Sequence, residues 1–138
     1  MLRRLGNSEE QLQRTVVEHW RVRGVPGSIL AAIPNGERRD KATGGRLKAM
    51  GVLSGFPDLF ALGVASMASG AFLGLPMALV ELKRPTPKPR DAERDLSDAQ
   101  KKVIPLLRAG GINVFVSNDL DEVLCFLENL GVLRKVAA

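Results

Sequence analysis

Two apolar runs in the middle of the chain each adjoin charged residues. Asp58 directly precedes the run Leu59–Leu62, and Glu81 and Lys83 follow the run Met77–Val80. Both runs have the length and composition of short β-strands. We therefore expect Asp58, Glu81 and Lys83 to lie on adjacent strands of one sheet.

The alternation of side chains along a strand sharpens this expectation. Glu81 and Lys83 are two residues apart, so they share one face of the sheet, while Leu82 faces the core. Burying a carboxylate and an ammonium group is costly unless they pair or bind an ion. An aspartate followed by Glu-x-Lys is an arrangement that holds a divalent metal ion against a phosphodiester. In the alternative interpretation, Asp58 ends a strand in a turn and the other two form an ion pair on an exposed edge.

Length and charge limit the class of protein. A chain of 138 residues predicts a single domain, here 1–138, with a core of its own. A net charge of +5 favours an anionic partner such as nucleic acid, and the alternative left open by charge alone is a merely solvated basic surface. One Trp, five Phe and no Tyr argue against a platform that stacks bases. The single Cys125 excludes an internal disulfide and a cysteine-rich zinc site, which fits a reducing cytoplasm.

The sequence predicts neither a secretory signal nor a membrane span. The basic N-terminal residues are not followed by an apolar stretch of the signal-peptide type. The longest apolar stretch, Leu59–Val80, is interrupted by glycine, serine and proline, so we interpret it as strand, loop and strand.

Caps and periodicity predict an element order of α-β-loop-β-β-α-β-α. This order suits an α/β sandwich in which helices cover a mixed central sheet. The predicted elements are a helix from the N-cap Ser8 to about Arg23, a strand Ser28–Ile33, a mobile loop Glu37–Arg46 leading into a short helix Gly45–Met50, strands Asp58–Leu62 and Met77–Lys83 joined by an extended hairpin connection Val64–Leu75, an exposed loop Arg84–Arg90, a helix from Ser97 to about Ala109, a strand Ile112–Val116, and a helix from Asp119 to about Leu130.

Four motifs in this order resemble the VRR-NUC family, a branch of the PD-(D/E)xK nuclease superfamily. They are a glutamate on the first helix, Gly55-x-Pro-Asp58-Leu, Glu81-Leu82-Lys83, and Gln100 at the start of a helix after a proline-rich loop. The resemblance runs from Ser8 to about Asp121. It implies a restriction-endonuclease-like core of αβββαβ type. On the first helix Glu9 fits the family pattern better than Glu10, because a leucine and a glutamine follow it at the expected positions.

The resemblance also implies a chemistry for these residues. Mg²⁺ or Mn²⁺ takes oxygen ligands, which Asp58 and Glu81 supply, and the family pattern adds the backbone carbonyl of Leu82 and the carboxylate of Glu9. Lys83 would orient or deprotonate a metal-bound water, or neutralise the phosphate. Gln100 would orient the water or reach Lys83 or a phosphate. Two alternative interpretations assign these residues no role in catalysis. Glu9 would interact favourably with the dipole of the first helix, and Gln100 would be an ordinary surface residue.

Two basic loops flank the predicted site and are candidates for sequence-independent contacts to DNA phosphates. The interpretation as solvated loops stays open at this point. The candidate residues are Arg38, Arg39, Lys41, Arg46, Arg84, Lys88 and Arg90.

The resemblance implies a metal-dependent, structure-selective DNA endonuclease like a Holliday-junction resolvase, in the cytoplasm of a bacterium or a phage-infected host. Branched DNA presents symmetric strands, which predicts a homodimer. The apolar stretch Val64–Leu75 is the candidate contact. The alternatives are a nicking or flap nuclease without junction preference, a catalytically silent nucleic-acid-binding module, and a protein whose charges are purely structural.

Overall fold

The computed structural model describes residues 8–34, 41–69 and 74–136, and for 41–43 only the backbone. Within these residues, four helices and four strands follow one another in the predicted order. They are α1 (Glu9–Arg23), β1 (Ile29–Ala32), α2 (Lys41–Ala49), β2 (Leu59–Leu62), β3 (Met77–Leu82), α3 (Asp98–Ala109), β4 (Val114–Ser117) and α4 (Leu120–Leu130), with short 3-10 helices at Ala65–Met67 and Ala92–Asp95.

The strands form one mixed sheet in the order β1-β2-β3-β4. The pairs β1/β2 and β2/β3 are antiparallel, and β3/β4 is parallel. A parallel pair needs a crossover connection, and α3 provides it between β3 and β4. The central strand β3 is therefore paired on both sides and buried along most of its length.

Helices cover both faces of the sheet. Leu12 and Val16 of α1 and the apolar side of α4 pack against one face in the larger core cluster. Ile104 of α3 packs against the other face with Leu79 and Val114. This arrangement confirms the α/β fold with a mixed central sheet flanked by helices. Among the residues described, no helix is both long enough and apolar enough to cross a membrane.

The helix ends follow the sequence signals closely. The Ser8 side chain accepts a hydrogen bond from the Gln11 amide at 3.0 Å, which caps α1 as its sequence predicts. Asp119 caps α4 in the same way, with its carboxylate accepting from the Glu122 amide at 3.0 Å. Gly131 ends α4 with a left-handed backbone, φ 84°, which a glycine adopts without strain.

Two local predictions are wrong. The stretch from Lys41 to Arg46 is helical rather than a loop, so α2 begins four residues before the predicted Gly45. Glycines at 44 and 45 are poor helix formers, so the start of this helix was not predicted from the sequence. The connection between β2 and β3 contains a 3-10 helix, Ala65–Met67, where an extended segment was expected. The part of the predicted loop at 37–40 lies outside the described residues.

Candidate active site

Asp58 is held at the point where β2 begins, opposite the end of β3. Its amide donates to the Val80 carbonyl at 3.0 Å, and its Oδ2 accepts from the Leu82 amide at 2.9 Å. Leu59 pairs with Val80 in the sheet, and extending this register by one residue places Asp58 opposite Glu81. Side chains directly opposite on antiparallel strands lie close together. The two carboxylates therefore meet at one end of the sheet.

Glu81 and Lys83 project to the face of the sheet that α3 covers. Only 2% of Glu81 and 7% of Lys83 is exposed, and Lys83 Nζ lies 3.4 Å from Glu81 Oε2. They form an ion pair, but on a central strand and out of water, not on an exposed edge. Such a pair stabilises little by itself because desolvation offsets much of the attraction between the charges. Its presence in the interior calls for an explanation other than stability.

Gln100 reaches this pair from the first turn of α3. Its Oε1 accepts hydrogen bonds from Lys83 Nζ at 2.6 Å and from the Ser97 amide at 2.9 Å. The Ser97 hydroxyl in turn accepts from the Gln100 amide at 3.2 Å, which completes a capping box. The glutamine is 1% exposed. The same contacts that begin the helix therefore fix the side chain that holds Lys83.

Gly55 explains how the loop before Asp58 fits against α3. Its φ is +87°, and a Cβ there would lie 2.6 Å from the Ala99 carbonyl carbon and 2.8 Å from the Gln100 nitrogen. Only a residue without a Cβ permits both this backbone conformation and this close approach. The glycine thus lets the segment that carries Asp58 contact the helix that carries Gln100.

Burial disfavours the ionised form of Glu81 when no divalent metal ion is bound. The pKa of Glu81 is raised from the ordinary 4.5 to about 8; desolvation is the largest cause, and the negative charge of Asp58 contributes to the rise. The positive charge of Lys83 acts in the opposite direction and lowers the pKa, because it stabilises the carboxylate. Within the described residues, neither Glu81 Oε1 nor Gln100 Nε2 has a hydrogen-bond partner.

These features fit a divalent cation. Two carboxylates meet at one place, and one of them has a buried oxygen without a partner. Mg²⁺ and Mn²⁺ prefer oxygen ligands and are held in many enzymes by one or two carboxylates together with substrate oxygens. A cation between Asp58 and Glu81 would offset both the desolvation of Glu81 and the repulsion between the two charges.

The predicted ligand on the first helix is not gathered with these two carboxylates. Glu9 lies half-buried in the first turn of α1, while the exposed Glu10 pairs with Arg14 at 3.0 Å. In the part of the chain that the structure describes, no three histidine, cysteine, aspartate or glutamate side chains come together to hold a metal ion. Metal binding by Glu9 and by the Leu82 carbonyl remains a prediction.

The basic residues proposed to contact DNA differ in their surroundings. Arg84 and Lys88 are exposed in the proline-rich loop after β3, and Arg46 is exposed in the last turn of α2. Arg90 pairs with Asp95 at 2.7 Å. Arg38 and Arg39 lie outside the described residues, as does the side chain of Lys41.

Some features of the site were not predicted from the sequence. Ser97 was identified only as a helix cap, although its amide shares the Gln100 oxygen with Lys83. Lys101 and Lys102, exposed immediately after Gln100, were not singled out as basic residues near the site. Their position next to the candidate site residue Gln100 is the sequence signal that could have identified them.

The fold and this end of β3 define a nuclease-like α/β domain, and comparison with known proteins identifies its family. A family model described as the VRR-NUC domain matches residues 7–118. The chain therefore belongs to the VRR-NUC family of nucleases. A solved "VRR_NUC domain protein" superposes with a TM-score of 0.63 at 22% identity, over 91% of this chain and 88% of that one. A second solved structure, a "VRR_NUC domain", superposes with a TM-score of 0.50 at 19% identity, over 89% of this chain and 97% of that one. At these identities both show the fold alone. No curated protein matched the sequence.

Proposed function

We propose that this protein is a Mg²⁺- or Mn²⁺-dependent endonuclease that hydrolyses phosphodiester bonds in branched DNA, in the manner of a Holliday-junction resolvase. One observation carries the proposal. Asp58, Glu81, Lys83 and Gln100 converge at one end of β3, where a carboxylate and an ammonium group are buried together. Membership of a nuclease family gives this cluster its chemical context.

Asp58 and Glu81 would hold the metal ion, with the Leu82 carbonyl and Glu9 as further predicted ligands. Bound there, the ion supplies a water of lowered pKa and a positive charge against the phosphate. Lys83 contributes a second positive charge, which stabilises the negative charge that develops on the phosphate oxygens in the transition state. Gln100 holds the Lys83 ammonium through a 2.6 Å hydrogen bond and so limits the positions this group can take.

The charge of the surface supports DNA as the substrate. The chain has a net charge of +5, and Arg84 and Lys88 are exposed in the loop that leaves the site. Phosphate contacts of this kind add affinity without sequence preference. A homodimer would present two such sites to the symmetric strands of a junction, with the Val64–Leu75 stretch as the proposed contact.

A cleavage panel tests the proposed function. Four-way junctions, flaps and linear duplexes are incubated with wild type and with Asp58→Asn in Mg²⁺, Mn²⁺ or EDTA. Wild type should make paired cuts in junctions with either metal and none in EDTA, and Asp58→Asn should cut nothing while still binding DNA. Asp121→Asn, which changes an exposed carboxylate on α4, is the matched control and should cut normally.

Each alternative has its own result in this panel. Equal cutting of linear duplex and junctions would replace the proposal by a nicking or flap nuclease. DNA binding without cutting would indicate a silent module, and absence of DNA binding would indicate a protein whose charges are purely structural. Full cleavage by Asp58→Asn would rule out the assigned site. Light scattering at micromolar concentration should give the mass of a dimer, and a monomer would remove only the proposed assembly.

Salt dependence tests the basic loop separately. Replacing Arg84 and Lys88 by alanine should weaken DNA binding and lower the slope of log affinity against log salt by about 0.9 for each lost phosphate contact. An unchanged slope would show that these charges do not touch DNA.

A further inference from the structure

Two large apolar side chains are exposed in the turn that follows α2. Met50 is 71% and Leu53 is 55% exposed. The backbone of this turn is nevertheless well defined. The Val52 amide donates to the Leu47 carbonyl at 2.9 Å, and Gly51 has a left-handed backbone, φ 95°, which together end α2 in a cap of the Schellman type. The turn therefore presents two apolar side chains to water at fixed positions.

This turn lies beside the candidate site, on the face of the sheet that α3 covers. Gly55 follows Leu53 by two residues, and a Cβ at Gly55 would lie 2.8 Å from the Gln100 nitrogen. Phe56 packs against the core cluster that contains Ile104 of α3. Two residues of chain span at most about 7 Å, which is about two base steps along a DNA strand. A DNA strand that crosses the site therefore passes within reach of Leu53.

The charge around the two apolar side chains favours an anionic partner. Between Asp40 and Asp58 the sequence has three cations, Lys41, Arg46 and Lys48, and no acidic residue. Arg46 and Lys48 are exposed in the last turn of α2. A symmetric contact with a second copy would bring the same cations together, and they would repel one another. DNA offers phosphates to the cations and apolar base-pair faces to the side chains between them.

A branch point is the place where paired DNA exposes a base-pair face. In continuous duplex each base pair is stacked on both sides, whereas a pair that flanks a four-way junction loses one stacking neighbour when the arms diverge. Leucine and methionine are among the side chains that proteins insert between base steps. Every base stays paired in such a contact, so a fully paired junction can make it.

We propose that Met50 and Leu53 form an apolar wedge that packs on the base pair at the branch point of a junction, while Arg46 and Lys48 contact the flanking phosphates. The inference rests on the proposed function and assigns its preference for junctions to two named side chains. Phosphate contacts alone give no such preference, because they read only the charge of the backbone, which duplex and junction share. Removing the apolar wedge should therefore weaken binding to junctions and leave binding to duplex unchanged.

The test is a binding measurement in EDTA, so it does not depend on cleavage. Fluorescence anisotropy gives the affinities for a fully paired four-way junction and for a linear duplex that has the sequence and length of two of its arms. The double variant Met50→Ala with Leu53→Ala should lose about tenfold in affinity for the junction and none for the duplex. The slope of log affinity against log salt should stay the same for both, because no charge is removed.

Three further variants complete the design. Val22→Ala with Leu106→Ala is the matched control, since it removes two similarly exposed apolar side chains from α1 and α3, and it should keep both affinities. Leu53→Met keeps an apolar side chain of similar volume and should keep the affinity for the junction. Arg46→Ala with Lys48→Ala should instead weaken binding to junction and duplex alike and lower the salt slope.

An unchanged affinity of the double alanine variant for the junction would overturn the inference. An equal loss for duplex and junction would assign the turn to general DNA contact and would also overturn it. Light scattering provides a further check, because a lower mass of this variant than of wild type would show that Met50 and Leu53 join two copies of the chain. Any of these results leaves the proposed nuclease intact if wild type still cuts junctions, whereas absence of any DNA binding by wild type defeats the nuclease itself.

Discussion

The two faces of β3 differ in chemistry although they belong to one strand at one depth. On the face toward α1 and α4, the side chains of Ala78, Val80 and Leu82 are fully buried among apolar neighbours. On the face toward α3, Leu79 is followed by two buried charges, Glu81 and Lys83. The strand thus carries an uninterrupted core on one side and a polar cluster on the other.

Within six residues, one face of the strand is therefore expected to stabilise the fold and the other to carry out chemistry. Burying apolar area lowers the free energy of folding by about 25 cal/mol per Å², so the first face stabilises the domain. Removing a carboxylate and an ammonium group from water costs free energy that their pairing only partly returns. The polar face is therefore expected to contribute chemistry, and substitutions on the two faces should have separable effects.

The largest effect is expected from Glu81→Gln, which keeps the shape of the side chain but removes the anionic ligand. Cleavage should fall about a thousandfold or more, equivalent to roughly 4 kcal/mol of transition-state stabilisation. Mn²⁺ binding measured by calorimetry should weaken, while DNA binding in EDTA persists. The control Glu18→Gln, an exposed position on α1, should behave as wild type. Normal cleavage by Glu81→Gln would remove the functional difference between the two faces.

Leu82→Ala should show the opposite behaviour. The Leu82 side chain is fully buried, so its truncation should lower the free energy of unfolding by about 2–5 kcal/mol in denaturant titrations. The backbone carbonyl, which is the predicted metal ligand, remains, so metal affinity should persist where the variant is folded. Leu53→Ala, at a 55% exposed position, is the control for the loss of a leucine and should change stability little. A strong loss of metal affinity in folded Leu82→Ala would show that the two faces are not independent.

Lys83→Ala should lower the cleavage rate about a hundredfold, or roughly 3 kcal/mol, without loss of metal binding. The reason is that the ammonium is proposed to act on the phosphate or the water and not on the metal. Lys101→Ala changes an exposed lysine beside Gln100 and serves as the control. If Lys83→Ala cuts at the wild-type rate, the lysine is only the ion-pair partner of Glu81.

The sequence was most informative where one signal determined the local structure. Strand β2 occupies the predicted Leu59–Leu62, and Ser97 begins α3 because a capping box is local in sequence. Alternation along β3 was enough to place Glu81 and Lys83 on one face. By contrast, α2 begins earlier than predicted. Two glycines weaken the local preference for helix, so the sequence pattern placed the start too late, and tertiary context overrides that preference.

The contacts that complete the candidate site depend on packing and could not be obtained from spacing. The two bonds to the Gln100 oxygen join a helix cap to a residue seventeen positions earlier in the chain. The need for glycine at Gly55 becomes visible only when the backbone of α3 approaches it. Burial is the further quantity that sequence does not give, and it is burial that raises the pKa of Glu81.

The most gradual effect is a pH dependence that only the polar face should show. The Glu81 pKa is raised from 4.5 to about 8 in the folded protein, so between these values the folded state holds more protons than the unfolded state. The stability that comes from this carboxyl group is complete below about pH 4.5 and is lost as the pH rises toward about 8. For one proton the loss is at most about 1.4 kcal/mol per pH unit.

Denaturant titrations in EDTA from about pH 5 to about pH 8 check this difference. Wild type should lose stability relative to Glu81→Gln across the range, because the variant has no proton to lose at this position. A divalent ion favours the carboxylate form, so adding Mn²⁺ should stabilise wild type more at the upper end of the range than at the lower end, with release of a proton on binding. Parallel curves for the two proteins would mean that Glu81 is already ionised in the folded state. The buried pair with Lys83 would then outweigh desolvation, and the polar face would need no metal ion to keep its charge.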